Sequence, residues 1–501
     1  MPCRNSATPS FRSTIGWWPA SCSRKAHEPG KGGAAVPHFD PQQLADWTGG
    51  RWTSPPAVPL TSFHFDSRQL QPGAVFVAVR TAQRDGHDFL AAAARAGAGA
   101  ALVGKPDPAV ALPQLVVADP VGAWHAIARE HRRRFAGPVV GISGSAGKTS
   151  TKDLLALLLG GPTAGVIATE GNFNNHLGVP LTLTRIDPQQ HRLAVIEAGI
   201  NLPGEMDALA TMIEPDVAII TLVAAAHTEA LGGIEGVARE KARLPAATRT
   251  SGVAVFSRET AEHAPFRELG VRRMEVERAE VVRPAEPPKD RVYFAITHRS
   301  DETAVALAYG PPPPRRFVFR RVSDGMAQNA VLAICAALWL GVTEQEIQSR
   351  LRDWRPAALR GEVREIDGRM FYLDCYNANP ASMADALATF DAIAPVATPR
   401  LFVLGCMEEL GPEAPAHHRA LGRRLRLRDG DQLYVTGTWA SAVVAGVEEQ
   451  GRGRAQVRVV EDLEPVRAAL HDWPGAVFVK GSRKYALERA LEGVVGEVAH
   501  A

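Results

Sequence analysis

Cysteine is scarce and scattered in this sequence. Cys3, Cys22, Cys335, Cys375 and Cys406 are odd in number, far apart and in no CxxC pair, which argues against a disulfide framework and a structural zinc site. A reducing cytoplasm is the expected compartment. Also missing is any apolar run of the ~18 to 20 residues that a membrane helix needs, so no membrane insertion is expected. Neither sign of charge dominates: 56 Lys and Arg face 54 Asp and Glu, a formal net charge of +2. That balance gives no reason to invoke nucleic acid or an acidic membrane surface, and it leaves anion recognition to local sites. The first 35 residues, with Arg, Ser, Pro, Gly and two Trp, lack the apolar core of a secretion signal. They are expected to be a disordered extension or the product of a start codon assigned too early.

What the chain does have is length and apolar content: 501 residues, 46% hydrophobic, enough for about three domains of ~100 to 200 residues each. Short apolar runs alternate with glycine-rich turns and helical stretches, the pattern of parallel α/β layers. Beyond residues 1–35, three segments separate. The first, 36–125, carries "FHFDSRQLQPGAVFVAV" and an Ala-rich helix. The second, 126–345, opens on the helical "VGAWHAIAREHRRRF" and later turns less regular around "EPPKD" and Pro311 to Pro314, which mark a surface loop or sheet edge. The third, 346–501, shows strands at "RMFYLD", "RLFVLG", "DQLYVTG" and "AVFVKG", a small doubly wound domain.

The densest chemistry lies in "PVVGISGSAGKTSTKDLLALLL". It reads as a buried strand, a glycine turn and a helix, so backbone N–H groups and a helix N-terminus converge beside Lys148 in a phosphate cradle. In such loops the lysine reaches the β- and γ-phosphates and the next hydroxyl, here Thr149, binds Mg²⁺. The strict pattern GxxxxGK[ST] is not met, because Ile142 stands five positions before Gly147. Outside its strand-turn-helix setting the same turn would be a plain connection with an exposed lysine. Two further strand ends point to the same place: "RLAVIEAG" ends on Glu197 and "DVAIITLVAAAH" on His227. A carboxylate and an imidazole at such ends suit a divalent ion between phosphate and acceptor. Singly, Glu197 reads as a solvated strand end and His227 as a histidine satisfied by backbone.

In chain order, "GISGSAGKTSTKD", "TEGNFNNHLGVPLTL", "AVIEAGINLPGEM", "PDVAIITLVAAAHTEALGGIEGVAREKA", "DCYNANPASM", "LGCMEELG" and "KGSR" resemble the Mur ligases, a likeness that runs from about residue 60 to 490. Within that family, "YNANP" and "GNFNNHLGVPLTL" are most similar to the branch that joins D-alanyl-D-alanine to UDP-N-acetylmuramoyl-tripeptide. The resemblance implies a cytoplasmic three-domain amide ligase of cell-wall peptide synthesis, expected as a monomer. It would have a UDP-substrate domain, a central ATP-binding P-loop domain and a C-terminal Rossmann-like domain for the incoming dipeptide. ATP and Mg²⁺ are the implied cofactors; ATP phosphorylates a carboxylate and an amine displaces the phosphate. An active site between the second and third domains would close around its ligands.

Carried over by position, the loop Gly144, Ser145, Ala146, Gly147, Lys148, Thr149 and Ser150 would hold ATP, with Asn329, Arg360, Asp374 and Tyr376 around the rest of the nucleotide. Thr149, Glu197, His227 and Lys241 would hold metal, Lys241 falling where the family often has a carbamylated lysine; without the resemblance it is a solvated helix lysine. Lys148, Glu197, His227, Lys241 and Arg360 form the implied catalytic set. Ser67 and Arg68 would lie near UDP, although Arg68 alone reads as a surface ion pair. The run Asp85-Gly86-His87-Asp88 reads equally as a turn with a helix cap. Asn172, Asn174 and Asn175 resemble the family's substrate-facing loop. Asn377 and Asn379 would address the dipeptide, and Lys480, Ser482 and Arg483, expected before a helix, would bind substrate as an anion-binding turn.

The chain departs from the family at Ala146 (usually Asn), at "LVAAAH" (usually "NVGPAH"), at Cys406 (usually Asp) and at "SDGMAQNA", which replaces a GxHN pattern and leaves Asn329. Cys375 and Cys406 read as small packing residues. Two other readings stay open. A paralogous Mur-type ligase joining a different amino acid or peptide is favoured by the altered loops. A nucleotide-binding regulatory protein without catalysis is opposed by the retained Lys148, Thr149, Glu197, His227 and Lys241.

Overall fold

The computed structural model describes residues 37–282, 290–451 and 456–494; the expected N-terminal extension and nearly all of "EPPKD" lie outside them. Among these residues three sheets follow one another along the chain. The first has five strands in the order Arg51–Trp52, Gln114–Val116, Ala100–Val103, Ala74–Val77, Ser62–His64, parallel except for the first pair.

The central sheet has nine strands and explains where a ligand can sit. Strand Val139–Ser143 lies between Leu193–Glu197 and Val217–Ile220, both parallel to it, with Ile142 opposite Glu197 on one side and Ile219 on the other. Both faces of these strands are buried, as near-continuous apolar runs require. Val140, Ile142, Val195, Val217 and Ile219 face Leu154, Leu155 and Leu158 of helix Lys148–Leu158 and the apolar helix Asp324–Trp339. Val139, Ala194, Ile196, Ala218 and Ile220 turn the other way, onto Leu209, Ile213 and Leu244. The region that reads as irregular continues the sheet through Val253–Ser257, Arg273–Arg278 and Arg291–His298. It ends on the antiparallel strands Glu302–Ala308 and Arg315–Arg320 at the sheet edge, joined by the Pro311–Pro314 loop.

The third sheet has six strands, ordered Glu362–Ile366, Arg369–Leu373, Ala476–Lys480, Arg400–Gly405, Gln432–Thr436, Val457–Val460. The four strands expected from the sequence are its middle. The outer two escape notice because they carry charge and bury almost nothing: no residue of "EVREI" is buried, and only Val460 is in the other.

Two expected boundaries fall inside helices. Helix Pro120–Arg134, capped by Asp119 (Val121 N donating at 3.0 Å), crosses the 125/126 boundary. Its Ala123, Trp124 and Ile127 belong to the first core and its Ala128 to the central one. Helix Glu344–Asp353 crosses 345/346, and its Ile347 and Leu351 are buried in the central core. One amphipathic helix serving two cores leaves no break in composition for a boundary to follow.

Candidate active site

Parallel strands send their carboxyl ends to one edge, and at that edge of the central sheet these three adjacent strands release the loop after Ser143, Glu197 and the segment leading to His227. The loop needs its glycines. Gly144 has φ +150° and a Cβ there would stand 1.9 Å from Thr221 Oγ1; Gly147 has φ +76° and a Cβ there would meet Asn329 Nδ2 at 2.2 Å. Thr221 and Asn329 therefore press the turn from two sides, and Thr221 Oγ1 also donates to Ala146 O.

Lys148 is the first residue of the following helix, and its Nζ curls back to donate to Gly144 O at 2.9 Å. Burial holds its ammonium below the usual lysine range, opposed by the Glu197 carboxylate and reinforced by Arg360. Ser145, expected to touch ATP, is spent on structure: its Oγ donates to Ala224 O at 2.9 Å and accepts from Ala224 N at 3.0 Å. It pins the cradle to the "LVAAAH" segment.

A cavity of about 730 Å³ opens over this loop and is walled on its far side by the third sheet. Ala146 through Ser150, Glu197 and His227 line it from the central layer, as do Asn172, Asn174 and Asn175, and Asn329 stands beside them. Arg360, Asp374, Tyr376, Asn377, Lys480 and Arg483 face them from the third. The Arg360 guanidinium lies 3.7 Å over the Tyr376 ring, with Arg483 6.0 Å from the same ring.

Several expected contacts resolve into supporting ones. Asn174 does not face substrate with its amide: Nδ2 donates to Glu197 Oε1 at 2.7 Å. Asn175 Oδ1 accepts from Leu177 N and Gly178 N at 3.1 and 3.0 Å, which fixes the start of the next helix, while Asn172, exposed like Asn175, is not tied into such a turn. Asn379 caps helix Pro380–Ile393, accepting from Ser382 N at 2.8 Å, and its Nδ2 crosses to Ser145 O at 3.2 Å. Asn377 Oδ1 accepts from the neighbouring Ala378 N at 2.9 Å. Lys480 is buried on Asp374 Oδ2 at 2.6 Å, so neither charge is available as a simple ligand. Burial raises the Asp374 carboxyl above its usual range, with Lys480 opposing.

Five expected site residues lie off the cavity wall. Gly144 supports it from below. Ser67 and Arg68 sit in a 3₁₀ turn of the first layer, where Arg68 forms the surface ion pair, 2.6 Å from Asp66 Oδ2. Ser482 is buried, and the stretch after it forms two 3₁₀ turns, Arg483–Tyr485 and Leu487–Leu491, in place of the expected helix. Lys241 is buried in helix Gly233–Ala246 and not solvated. Burial, then the charge of Lys148, pushes its amine well below the usual lysine range. The turn reading holds for Asp85, which accepts from His87 N at 3.0 Å.

The cavity also uses a residue without a sequence signal. Asp385, an acid in the Ala-rich "SMADAL" helix, accepts from Gly325 N at 2.9 Å, across the layers and within the divergent "SDGMAQNA" stretch. Burial raises its carboxyl above the ordinary range. The thiols of Cys335 and Cys375 are pushed up to about 12 and that of Cys406 to about 11 by burial, which leaves no reactive thiolate among them.

Among the described residues no cluster of three His, Cys, Asp or Glu side chains stands ready for a metal. The fit to a divalent ion rests on Glu197, whose Oε2 is buried and without a hydrogen-bond partner while Oε1 is held by Asn174. A carboxylate oxygen in that condition, with Thr149 and His227 on the same cavity, suits a hard cation that completes its shell with phosphate and water.

Three family profiles match: Mur ligase family, catalytic domain, over residues 60–132; Mur ligase middle domain over 142–336; and Mur ligase, glutamate ligase domain, over 359–483. A protein of Mycobacterium tuberculosis strain H37Rv named UDP-N-acetylmuramoyl-tripeptide–D-alanyl-D-alanine ligase is 32% identical over 482 residues, 86% of this chain and 92% of that one. The crystal structure of MurF from Acinetobacter baumannii superposes with a TM-score of 0.79 at 27% identity, covering 91% of this chain and 98% of its own. A MurF ligase of Thermotoga maritima in complex with ADP shares the fold, with a TM-score of 0.72 at 24% identity over 86% of this chain and 96% of its own.

Proposed function

The chain belongs to the Mur ligase family, and from that premise we propose that it joins D-alanyl-D-alanine to UDP-N-acetylmuramoyl-tripeptide, the two substrates in its relatives' names, at the expense of ATP. The observation that carries the reading is one cavity in which the phosphate loop with Lys148, the half-satisfied carboxylate of Glu197 and the cationic wall of Arg360 and Arg483 face one another. A carboxylate is a poor acyl donor. One of its oxygens attacks the γ-phosphorus of ATP, the bond to the β-phosphate oxygen breaks, and ADP leaves. The amine of the dipeptide then adds to the acyl carbon and phosphate departs with the former carboxylate oxygen.

The residues present divide this work. Lys148 and the backbone N–H groups of the loop hold the β- and γ-phosphates. Arg360, fixed on Tyr376, sits where charge builds in the acyl transfer. Thr149, Glu197 and His227 would hold Mg²⁺, which when bound neutralises charge between the phosphates. Burial favours the neutral form of the Lys241 amine, which could add to CO₂ and release a proton to give a carbamate. Ser67, Arg68 and the first layer are assigned to the UDP end. No helix among the described residues is long and apolar enough to cross a membrane, and the proposed nucleotide substrates support a cytoplasmic reading.

The test is isotopic. With ¹⁸O in the terminal carboxylate of the tripeptide, the phosphate released must carry one ¹⁸O atom. Phosphate released with only ATP and water oxygen would refute carboxylate activation.

A further inference from the structure

The stretch "LGCMEELG" contains two adjacent carboxylates that the reaction as proposed does not use, and the fold sends them in opposite directions. Glu408 turns back into the third layer, where its carboxylate accepts from Tyr485 OH and lies 3.1 Å from Lys484 Nζ. Glu409 crosses to the central layer and sets its carboxylate against His227 Nδ1. The divergence comes from the backbone: Glu409 has φ +62°, and its partner His227 has φ +56°. A left-handed conformation is unfavourable for a non-glycine residue and persists where the surroundings over-determine it. Here both members of one contact between layers adopt it.

The loop bearing Glu409 is rigidly mounted. Met407 N donates to the buried His418 Nε2 at 2.9 Å, Ser482 N reaches Cys406 O at 3.4 Å, and Glu408 is clamped as described. On the other side, Glu229 N approaches Glu409 O at 3.5 Å, and a Cβ on Gly411 would lie 3.3 Å from Glu229 Cα. The contact is thus a fitted joint between the two layers that wall the cavity.

We propose that Glu409 is a positioning residue that orients the His227 imidazole for metal, so that the central layer's metal site is complete only when the third layer is docked. The inference rests on the reading of His227 as a metal ligand. A neutral imidazole has one N–H and one lone pair. With Nδ1–H committed to the carboxylate, Nε2 is the atom left to bind a cation, and the ring is held in one orientation and one tautomer. Lys148, whose charge also acts on this ring, would otherwise oppose a cation here without compensation. The third layer thereby acts on the phosphate end of the cavity as well as on the dipeptide end.

The test uses the full chain with Mn²⁺ and β,γ-methylene ATP. Electron spin-echo modulation reports an imidazole nitrogen on the metal, and the free Mn²⁺ signal gives affinity. Wild type should show the nitrogen coupling. Glu409→Ala should lose or disperse it and bind Mn²⁺ about 10- to 100-fold more weakly, whereas Glu409→Gln, whose amide oxygen can still accept from Nδ1–H, should retain most of both. Glu409 is 58% exposed on its loop, so folding of the variants is checked by an unchanged melting curve. Unaltered coupling and affinity in Glu409→Ala, with coupling lost in His227→Ala, would overturn this inference alone. Coupling that survives in His227→Ala, or is missing from wild type, would overturn the metal reading of His227 and the inference with it.

Discussion

Asn379 Nδ2 donates to Ser145 O at 3.2 Å, linking the cap of a third-layer helix to the phosphate loop of the central layer across 234 residues of sequence. The same side chain accepts from Ser382 N, so one amide starts a helix and docks it. Substituting Asn379 by Ala removes both bonds. The cap alone is worth about 1 kcal/mol. We expect Asn379→Ala to lower stability in urea by about 1 to 2 kcal/mol and to widen the ligand-free particle in X-ray scattering. An unchanged denaturation midpoint with an unchanged radius would remove the docking role.

Asn174 acts on Glu197 in a different way. Its amide occupies Oε1 and leaves Oε2 for a cation. Asn174→Ala should raise the Mg²⁺ concentration needed for half-maximal phosphate release by about 10-fold, with little change in the KM for the dipeptide. An equal rise in both constants would show that Asn174 contacts substrate instead.

Stability should also fall with acidity. His418 is buried as the neutral ring, with Nδ1 donating to Ala414 O at 2.6 Å and Nε2 accepting from Met407 N at 2.9 Å. Burial holds its pKa below 6.5. As pH drops below that ordinary value the unfolded chain takes up the proton before the folded one does, so stability present above about 6.5 is lost on acidification. His131, donating to Ile186 O, adds in the same direction. Urea midpoints should therefore decline from pH 7.5 to 5.5, and His418→Gln should start lower and decline less. An identical slope in that variant would exclude His418 as a contributor.

The parts of the site legible in the sequence are those built from neighbours in the chain. A buried strand, glycines and a helix beginning at Lys148 are local, and their periodicity and turn chemistry specify the cradle directly. Glu197 is legible for the same reason, as the last residue of an apolar strand. Contacts made only on docking are not: Asn174 with Glu197, Asn379 with Ser145 and Asp385 with Gly325 join residues 23, 234 and 60 positions apart. In each case the residue type was visible or unremarkable while its partner depended on packing. Arg68 shows the reverse ambiguity, since a guanidinium suited to pyrophosphate is equally suited to the Asp66 two residues away. Lys241 is legible only through resemblance, because nothing in "GVAREKARL" announces a buried amine.

The most direct test of the ligase assignment is the mass of the product formed from ATP, Mg²⁺, UDP-N-acetylmuramoyl-tripeptide and D-alanyl-D-alanine, with phosphate release followed in parallel. The account predicts release that requires both substrates, a product heavier by the dipeptide less water, and loss of at least about 100-fold in Lys148→Ala. ATP binding without a heavier product, or a heavier product with a different amine only, would contradict it.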